Sequence, residues 1–336
     1  VRTRNGAELL YRYCQEGLQH HSPSLARSIR AYRSGYLPEE RREIERQLFE
    51  GALLGVTSTS ALELGIDVGS LSASLMVGYP GTISSTWQQA GRAGRGTEES
   101  LAILIAHNTP IDQYLMQNPK YFFGESPENA VIDPSNPYIV LGHLRCAARE
   151  LPIGVEDETL FGEYAPAVLD ILQESGQVRP LNGKWYWTGG GYPASDVSLR
   201  NINDNTYTIV DTTGDENQVI GSIDEIGAFT QTHTEAVYLH DAETYFVDNL
   251  DLAQRIAYIR KADVDYYTQS ITEANIRVDQ EELQRKWNKT GVHFGDVTVT
   301  TTVYMFRKIK FGSRDSIGYG NLDLPPQDLQ TNAVWL

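Results

Sequence analysis

Cysteine is scarce: 336 residues contain two, Cys14 and Cys146, far apart and without metal-ligand spacing. That excludes a disulfide scaffold and a zinc finger, fits thiols kept reduced, and sets the cytosol as the expected compartment. No apolar run approaches the roughly 20 residues that cross a bilayer, and no basic leader precedes an apolar core, so no membrane partner is expected. A Gly-x-x-x-x-Gly-Lys-Ser/Thr loop is missing, as is the acidic strand that accompanies it, so nothing in the sequence cradles a triphosphate or holds magnesium by itself. Basic charge is short as well, 28 Lys and Arg against 44 Asp and Glu, net −16. The deficit is uneven: residues 1–125 carry 12 basic and 13 acidic side chains, leaving 16 against 31 downstream. A broad cationic coat is excluded, whereas a few placed cations are not. No fixed-period repeat or low-complexity tract occurs.

What is present has the texture of a globular chain of two or three units, 40% apolar and 10% aromatic. The spacing of Leu9, Leu10, Tyr13, Cys14 and Leu18 predicts a helix over Ala7–Gln19. A strand at Ser28–Tyr32 follows, then a helix opened by Pro38, where the missing amide is harmless, and running to Glu50. Further on, strands at Leu53–Thr57, Ser74–Tyr79 and Ser100–His107 alternate with short helices near Ala61–Leu64 and Ser85–Arg92. Such alternation is the signature of a mostly parallel sheet covered by helices, here residues 1–125.

A Pro-, Asn- and acid-rich stretch from Gly124 to Pro137 marks a boundary. Within residues 126–203, helices at Tyr138–Glu150 and Ala165–Ser175 precede a strand, Asn182-Gly183 turn and strand through Trp187, which predicts a winged helix. Its Trp185-Tyr186-Trp187 run reads as ordinary hairpin packing, with stacking on an unpaired base as the other reading. Residues 204–336 alternate in short β runs, predicting a mainly antiparallel β region, with Val297–Lys310 as one long strand. His233 and His240 read as satisfied histidines and no metal site is expected. The Arg307-Lys308-Lys310 charges read as the blunting of an edge strand, or as phosphate contacts.

Two stretches carry chemistry. In Gln88-Gln89-Ala90-Gly91-Arg92-Ala93-Gly94-Arg95, two arginines three residues apart could lean the same way from a helix and set two permanently charged forks on one phosphoryl group. Solvated arginines on an amphipathic helix are the plainer reading. Upstream, Ser58-Thr59-Ser60-Ala61-Leu62-Glu63-Leu64-Gly65-Ile66-Asp67-Val68-Gly69 follows a β-branched run. It therefore occupies the loop beyond a strand's carboxyl end, where parallel sheets bind ligands. It offers hydroxyls for phosphate and a carboxylate for a ribose hydroxyl.

Together these stretches resemble motifs V and VI of superfamily 2 helicases, and Val1-Arg2-Thr3-Arg4 resembles the tail of motif IV. The run from Ile29 through Arg33-Ser34-Gly35 to Pro38 and Arg41 is similar to the second RecA-like lobe of these motors. The wording Ala-Leu-Glu-Leu-Gly-Ile-Asp with Gln-Gln-Ala-Gly-Arg-Ala-Gly-Arg resembles the YprA/MrfA group of DNA-repair helicases, allied to the RecQ-like Hrq branch. The resemblance implies an α/β fold: a RecA-like lobe, then a winged helix and a β-rich accessory region. It also implies 3′-to-5′ translocation on DNA driven by ATP and magnesium, both held mainly by a first RecA lobe, so that this chain alone is inactive as an ATPase.

Residue by residue, the resemblance assigns Arg92, Arg95 and Gln88 to the phosphates of ATP and the link behind them, and Gly65 and Asp67 to the ribose corner. Thr3, Arg4, Arg33, Gly35 and Thr59 would hold the phosphates of the tracking strand. Gln89 departs from the family, which often has Arg there, and its phosphate contact would be weaker. The group usually ends in a four-cysteine zinc module whose cysteines do not occur before Leu336. A non-catalytic DNA-binding or scaffold module built on one RecA-like lobe is the rival from another class, and an Lhr-type helicase the rival within the superfamily.

Overall fold

The computed structural model describes residues 1–63, 71–94, 99–129, 132, 134–195, 197 and 205–336. They form two compact units, one of residues 1–127 with 205–336, the other of residues 128–204. In sequence the second unit lies between the two parts of the first.

In the first unit the chain runs α1 (Arg4–His21), α2 (Pro23–Ala26), β1 (Ile29–Tyr32), α3 (Pro38–Phe49), β2 (Gly55–Ser58), β3 (Ala73–Val77), α4 (Ile83–Ala90), β4 (Leu101–Ile105), α5 (Pro110–Gln117) and α6 (Pro119–Gly124). The expected strands and helices are present with ends shifted by a few residues, and α5 and α6 are additional. Thr3 caps α1 by accepting from Gly6 N, and Pro38 opens α3 with Glu39 and Glu40 in its positive first turn. The strands pair in parallel, β1 with β2 and β3 with β4. Tyr11, Tyr32, Ile44, Leu48 and Leu53 form the core over the first pair. Beyond the second pair, Asp112 in α5 accepts from the N–H of Tyr79 and of His107 and from the Thr109 hydroxyl. Burial opposes its charge, yet these donors outweigh burial and hold the carboxyl below its usual range.

The second unit contains α7 (Pro137–Glu150), β5 (Ile153–Gly154), α8 (Glu158–Phe161), α9 (Ala165–Glu174), β6 (Val178–Leu181) and β7 (Lys184–Trp187), with strand order β5-β7-β6. This is a winged helix. Its hairpin turns at Asn182 and Gly183, both at positive φ (51° and 75°), as a two-residue turn matched to strand twist requires. Trp185 and Trp187 pack against the Val140, Leu144, Leu169 and Leu172 core, which is the packing reading of that run. The outward side of α9 carries Asp170, Gln173 and Glu174 and no cation.

The first unit resumes with β8 (Thr206–Asp211), β9 (Gln218–Asp224), α10 (Glu225–Gln231), β10 (Val237–His240), β11 (Glu243–Asp251), β12 (Ile256–Lys261), β13 (Tyr266–Trp287), β14 (Thr290–Lys310), β15 (Ser316–Asn321) and β16 (Gln327–Trp335). One sheet has the order β10-β11-β12-β8-β9 and is antiparallel except where β12 meets β8. Its core joins Tyr207, Ile209, Phe229, Tyr238 and Ile259 to Val303 of β14. The other sheet is built on β14, which pairs with β13 on one side and with β15 and β16 on the other.

The strand expected at Val297–Lys310 is therefore central, and the edge-strand explanation of its charges is corrected. Arg307 instead donates to Gln269, Lys310 lies 3.6 Å from Asp265, and Lys308 sits over Tyr266. Its strict alternation also fails. Tyr304 is an extra residue in β14 opposite the step from Ile271 to Thr272, which resets the phase between Val303 and Phe306; Val303, Phe306 and Ile309 are the buried apolar side chains of this half of the strand. No described helix is long and apolar enough to cross a membrane.

Candidate nucleotide and nucleic-acid site

Beyond the carboxyl ends of β2 and β3 lies a polar cleft of about 220 Å3. Val1 and Arg2 line it from the chain start, Ser60 and Glu63 from the turn after β2, Gly78 and Pro80 from the loop after β3, and Ser85 and Gln89 from α4. The three stretches singled out in the sequence thus converge on one crevice. Val1 N donates to Ser58 O at 2.7 Å, laying the chain start beside the end of β2. Glu63 is the fastener: one carboxylate oxygen accepts from Ser85 Oγ at 2.7 Å and from Gln89 Nε2 at 3.0 Å. Gln89 therefore spends its amide on Glu63, and its carbonyl accepts from Ser74 Oγ at 3.0 Å.

The arginine geometry differs from expectation. Helix α4 ends at Ala90, and Gly91 to Gly94 form a turn in which Ala93 bridges to Leu71 and Gly94 N donates to Leu71 O. Arg92 stands half-buried on that turn rather than on the helix, with Nε 3.5 Å from the Gln88 carbonyl oxygen. A turn of fixed shape can aim a guanidinium as well as a helix face can, since the backbone hydrogen bonds hold its base. Gln88 is half-buried behind it. Gly65, Asp67 and Arg95 lie outside the described residues, so the ribose corner and the second fork are not placed.

Thr3 and Thr59 are both caps. Thr3 Oγ1 accepts from Gly6 N at 3.0 Å, and Thr59 Oγ1 from Ala61 N at 3.4 Å at the head of a 3₁₀ turn, Ser60–Leu62. Each hydroxyl retains its proton to donate, and the 18-residue α1 directs its positive end here with no acid in its first turn. These are means of holding an anion.

Three other candidates lie elsewhere. Arg33 is buried, 2% exposed, in the seam between the lobe and the five-stranded sheet. Its Nε donates to Glu8 at 2.6 Å, and its Nη2 to Tyr238 Oη and to the Leu239 carbonyl, both at 3.0 Å. Glu8 also accepts from Tyr36 Oη at 2.6 Å, and the guanidinium lies over the Tyr36 ring. Burial opposes the arginine's charge, but the oxygens of Tyr238 and Glu8 outweigh it and hold the group protonated above its ordinary range. Gly35, at φ +101°, lies in this seam: its carbonyl accepts from Ser222 N at 3.0 Å, and a Cβ there would lie 2.8 Å from Ser222 O. Arg4 pairs with Asp224 at 2.8 Å and donates to Ser34 Oγ. The expectation that Arg33 lies on a phosphate path is corrected by its burial; Gly35 is half-buried with its carbonyl taken by Ser222, and Arg4 is already paired with Asp224.

His240 belongs to the same seam, among Tyr36, Tyr238 and Tyr245. Burial first, then the positive charges of Arg33 and Arg30, push its imidazole down to about 3. His233 is likewise core, stacked on Phe306 with Nδ1 against the Thr234 carbonyl. Among the described residues no group of three His, Cys, Asp or Glu side chains could hold a metal ion. The described part of this chain therefore does not fit a magnesium site.

Sequence reasoning missed Glu63, although it stands inside the quoted Ala-Leu-Glu-Leu-Gly-Ile-Asp string. It also missed Glu8, Tyr238 and Asp224, which carry no local signal because their partners are 25 to 220 residues away.

A parallel α/β lobe whose motif V and VI segments meet at the strand ends, followed by a winged helix, defines a superfamily 2 helicase. Residues 3–97 match the helicase conserved C-terminal domain and residues 132–202 the winged helix domain of the ATP-dependent helicase HRQ1. The chain matches the C-terminal portion of helicases of the YprA/MrfA/HRQ1 family. It is 44% identical, over its whole length, to the uncharacterized ATP-dependent helicase YprA of Bacillus subtilis, and 30% identical to the ATP-dependent helicase hrq1 of Schizosaccharomyces pombe. It spans 45% and 31% of those proteins. The crystal structure of the DUF1998 helicase MrfA bound to DNA superposes with a TM-score of 0.78 at 43% identity, over 99% of this chain and 44% of that one. MrfA bound to DNA and AMPPNP gives 0.77 at the same identity, over 98% and 44%.

Proposed function

We propose that this chain is the second RecA-like lobe, with its accessory modules, of an ATP-dependent DNA helicase that translocates 3′ to 5′ and opens duplex DNA during repair in the cytosol. The observation that carries this reading is the convergence of Ser60, Glu63, Ser85 and Gln89 on one strand-end cleft, with Arg92 on the turn that follows α4. Relatives crystallised with DNA and with AMPPNP support it. When bound, ATP supplies the phosphoanhydride whose cleavage drives opening and closing of the two lobes. This chain's share is electrostatic and geometric. Arg92, and Arg95 three residues on in the sequence, would offer permanent charge to the terminal phosphates, and Gly65 and Asp67 would serve the ribose. Thr3 and Thr59 donate to the phosphates of the tracking strand, while Gln88 and Glu63 join the two faces through α4.

The test is a fusion placing the first RecA-like lobe of YprA before Val1. DNA-stimulated ATP turnover is expected from the fusion and none from the 336 residues alone. Arg92→Ala in the fusion should lower turnover on the order of 10³-fold, as loss of an arginine finger does, with oligonucleotide binding retained. Turnover by the chain alone, or an Arg92 variant as fast as its parent, would overturn the reading, and a fusion without DNA-stimulated turnover would favour a non-catalytic binding module.

A further inference from the structure

The hairpin of β13 and β14 reaches far from any core. Every residue from 272 to 290 is exposed, and at about 3.3 Å per residue the 16 exposed residues 272–287 of β13 form an arm on the order of 50 Å long. Along the arm β16 pairs with the far side of β14, whose Val297 and Thr298 are buried, so the exposed strand is β13. Its shaft is acidic, with Glu273, Asp279, Glu281, Glu282, Asp296 and Asp328. Its end is the reverse: Arg285-Lys286-Trp287-Asn288-Lys289 holds three cations and a tryptophan in five residues, in a chain of net charge −16.

None of these four side chains has an ion-pair or hydrogen-bond partner among the described residues, whereas Arg277 on the shaft is taken by Asp279. Trp287 is 66% exposed and has no aromatic ring partner among the described residues. Past the last bulge, between Glu281 and Leu283, the register is regular, so Leu283, Arg285 and Trp287 share one face and Lys286 the other, while Lys289 sits in the turn.

We propose that this tip is a nucleic-acid contact, in which Trp287 stacks on an unpaired base and Arg285, Lys286 and Lys289 meet the flanking phosphates. A large flat ring held rigidly in water costs free energy unless a partner covers it, and cations around it select a ligand with both an aromatic face and negative charge. The acidic shaft repels phosphates along its length and confines the contact to the end. The inference rests on the proposal above that DNA is the partner, and it gives that partner a site outside the strand-end cleft.

The experiment measures binding of labelled single-stranded, forked and blunt-duplex oligonucleotides by the 336-residue chain without nucleotide, across a salt series. Trp287→Ala should weaken single-strand and fork binding about tenfold, the size of one lost base stack, and blunt-duplex binding less; Trp287→Phe should restore most of it. Replacing Arg285, Lys286 and Lys289 with Gln together should flatten the slope of log affinity against log salt by about 2, as three lost single-strand phosphate contacts require. Because the tip is exposed, the thermal midpoint should not move. Wild-type affinity and slope in these variants would overturn the inference, as would a tip that binds anionic vesicles in place of oligonucleotides. Nucleotide is absent from this assay, so a failed tip leaves the Arg92 turnover test standing, and a failed turnover test leaves tip binding to be judged by itself.

Discussion

Arg33 and Arg92 come from strings that look alike, an arginine beside small residues after a strand or helix, yet the fold gives them opposite surroundings. Arg33 is closed in: Glu8 of α1 and Tyr238 of β10 meet it, and every donor direction toward solvent is filled. Arg92 stands half-buried on the turn that follows α4, which Leu71 pins. The difference lies in burial and in the distant oxygens that enclose Arg33, and a motif does not encode that. The seam also makes the five-stranded sheet an extension of the lobe. Arg30 grips Asp241 with two hydrogen bonds and Arg4 grips Asp224, so motion of the lobe is transmitted to the sheet as one body.

The harshest way to break the comparison is to empty the seam. Arg33→Ala leaves Glu8 buried and without its cation, and should cost about 3–5 kcal/mol, read as a fall in the urea midpoint of the first unit. Replacing Arg33 and Glu8 together with Met and Leu should recover most of that loss, because no orphaned charge remains. A single variant as stable as the parent would show that the seam is not a closed ion pair.

Acid attacks the same seam more gradually. The folded-state imidazole of His240 lies at about 3, below the ordinary histidine value near 6.5, so the neutral form is what folding favours. Its contribution is complete above pH 6.5 and is lost as the pH falls toward 3, at up to about 1.4 kcal/mol per pH unit. His233, lowered by burial as well, adds in the same direction. His240→Phe should flatten the stability profile between pH 6 and 4, measured by denaturation at each pH. An unchanged slope would place the acid sensitivity elsewhere, and not at Glu40, whose carboxyl is raised by burial and by Asp241 and therefore gains stability as the pH falls.

The parts of this architecture that were legible in the sequence are those where one face of an element is buried. Helices α1 and α3 and the lobe strands show their periods because their apolar sides pack on Tyr32, Ile44 and Leu48. Helices α5 and α6, eight and six residues opened by Pro110 and Pro119, are too short to establish a period. Most of β13 left no trace at all. It is exposed on both faces beyond Ile271, so selection for alternation is absent, and Glu, Gln, Arg and Lys fill it. The parallel contact of β12 with β8 depends on chain returns that no local pattern records. In the site, the hydroxyl and arginine strings were readable, but the end of α4 was placed two residues late, because Gly91 stops the helix before Arg92.

The gentlest probe sharpens the open side of the comparison. Glu63 holds Ser85 and Gln89 with one oxygen in a half-buried position, so Glu63→Ala removes two hydrogen bonds and leaves two donors that water can reach. The expected stability loss is about 1 kcal/mol, well below that of Arg33→Ala, since water at the cleft satisfies what the seam could not. The consequence should instead be mechanical. With Glu63 gone, α4 is no longer tied to the turn after β2, and in the YprA-lobe fusion the dependence of turnover on DNA should weaken while basal turnover persists. Gln89→Ala should reproduce that uncoupling in part, because it removes one of the same two bonds. A Glu63 variant that loses as much stability as Arg33→Ala, or that keeps full DNA stimulation, would show that the cleft is packed like the seam and that the two arginines differ less than their surroundings indicate.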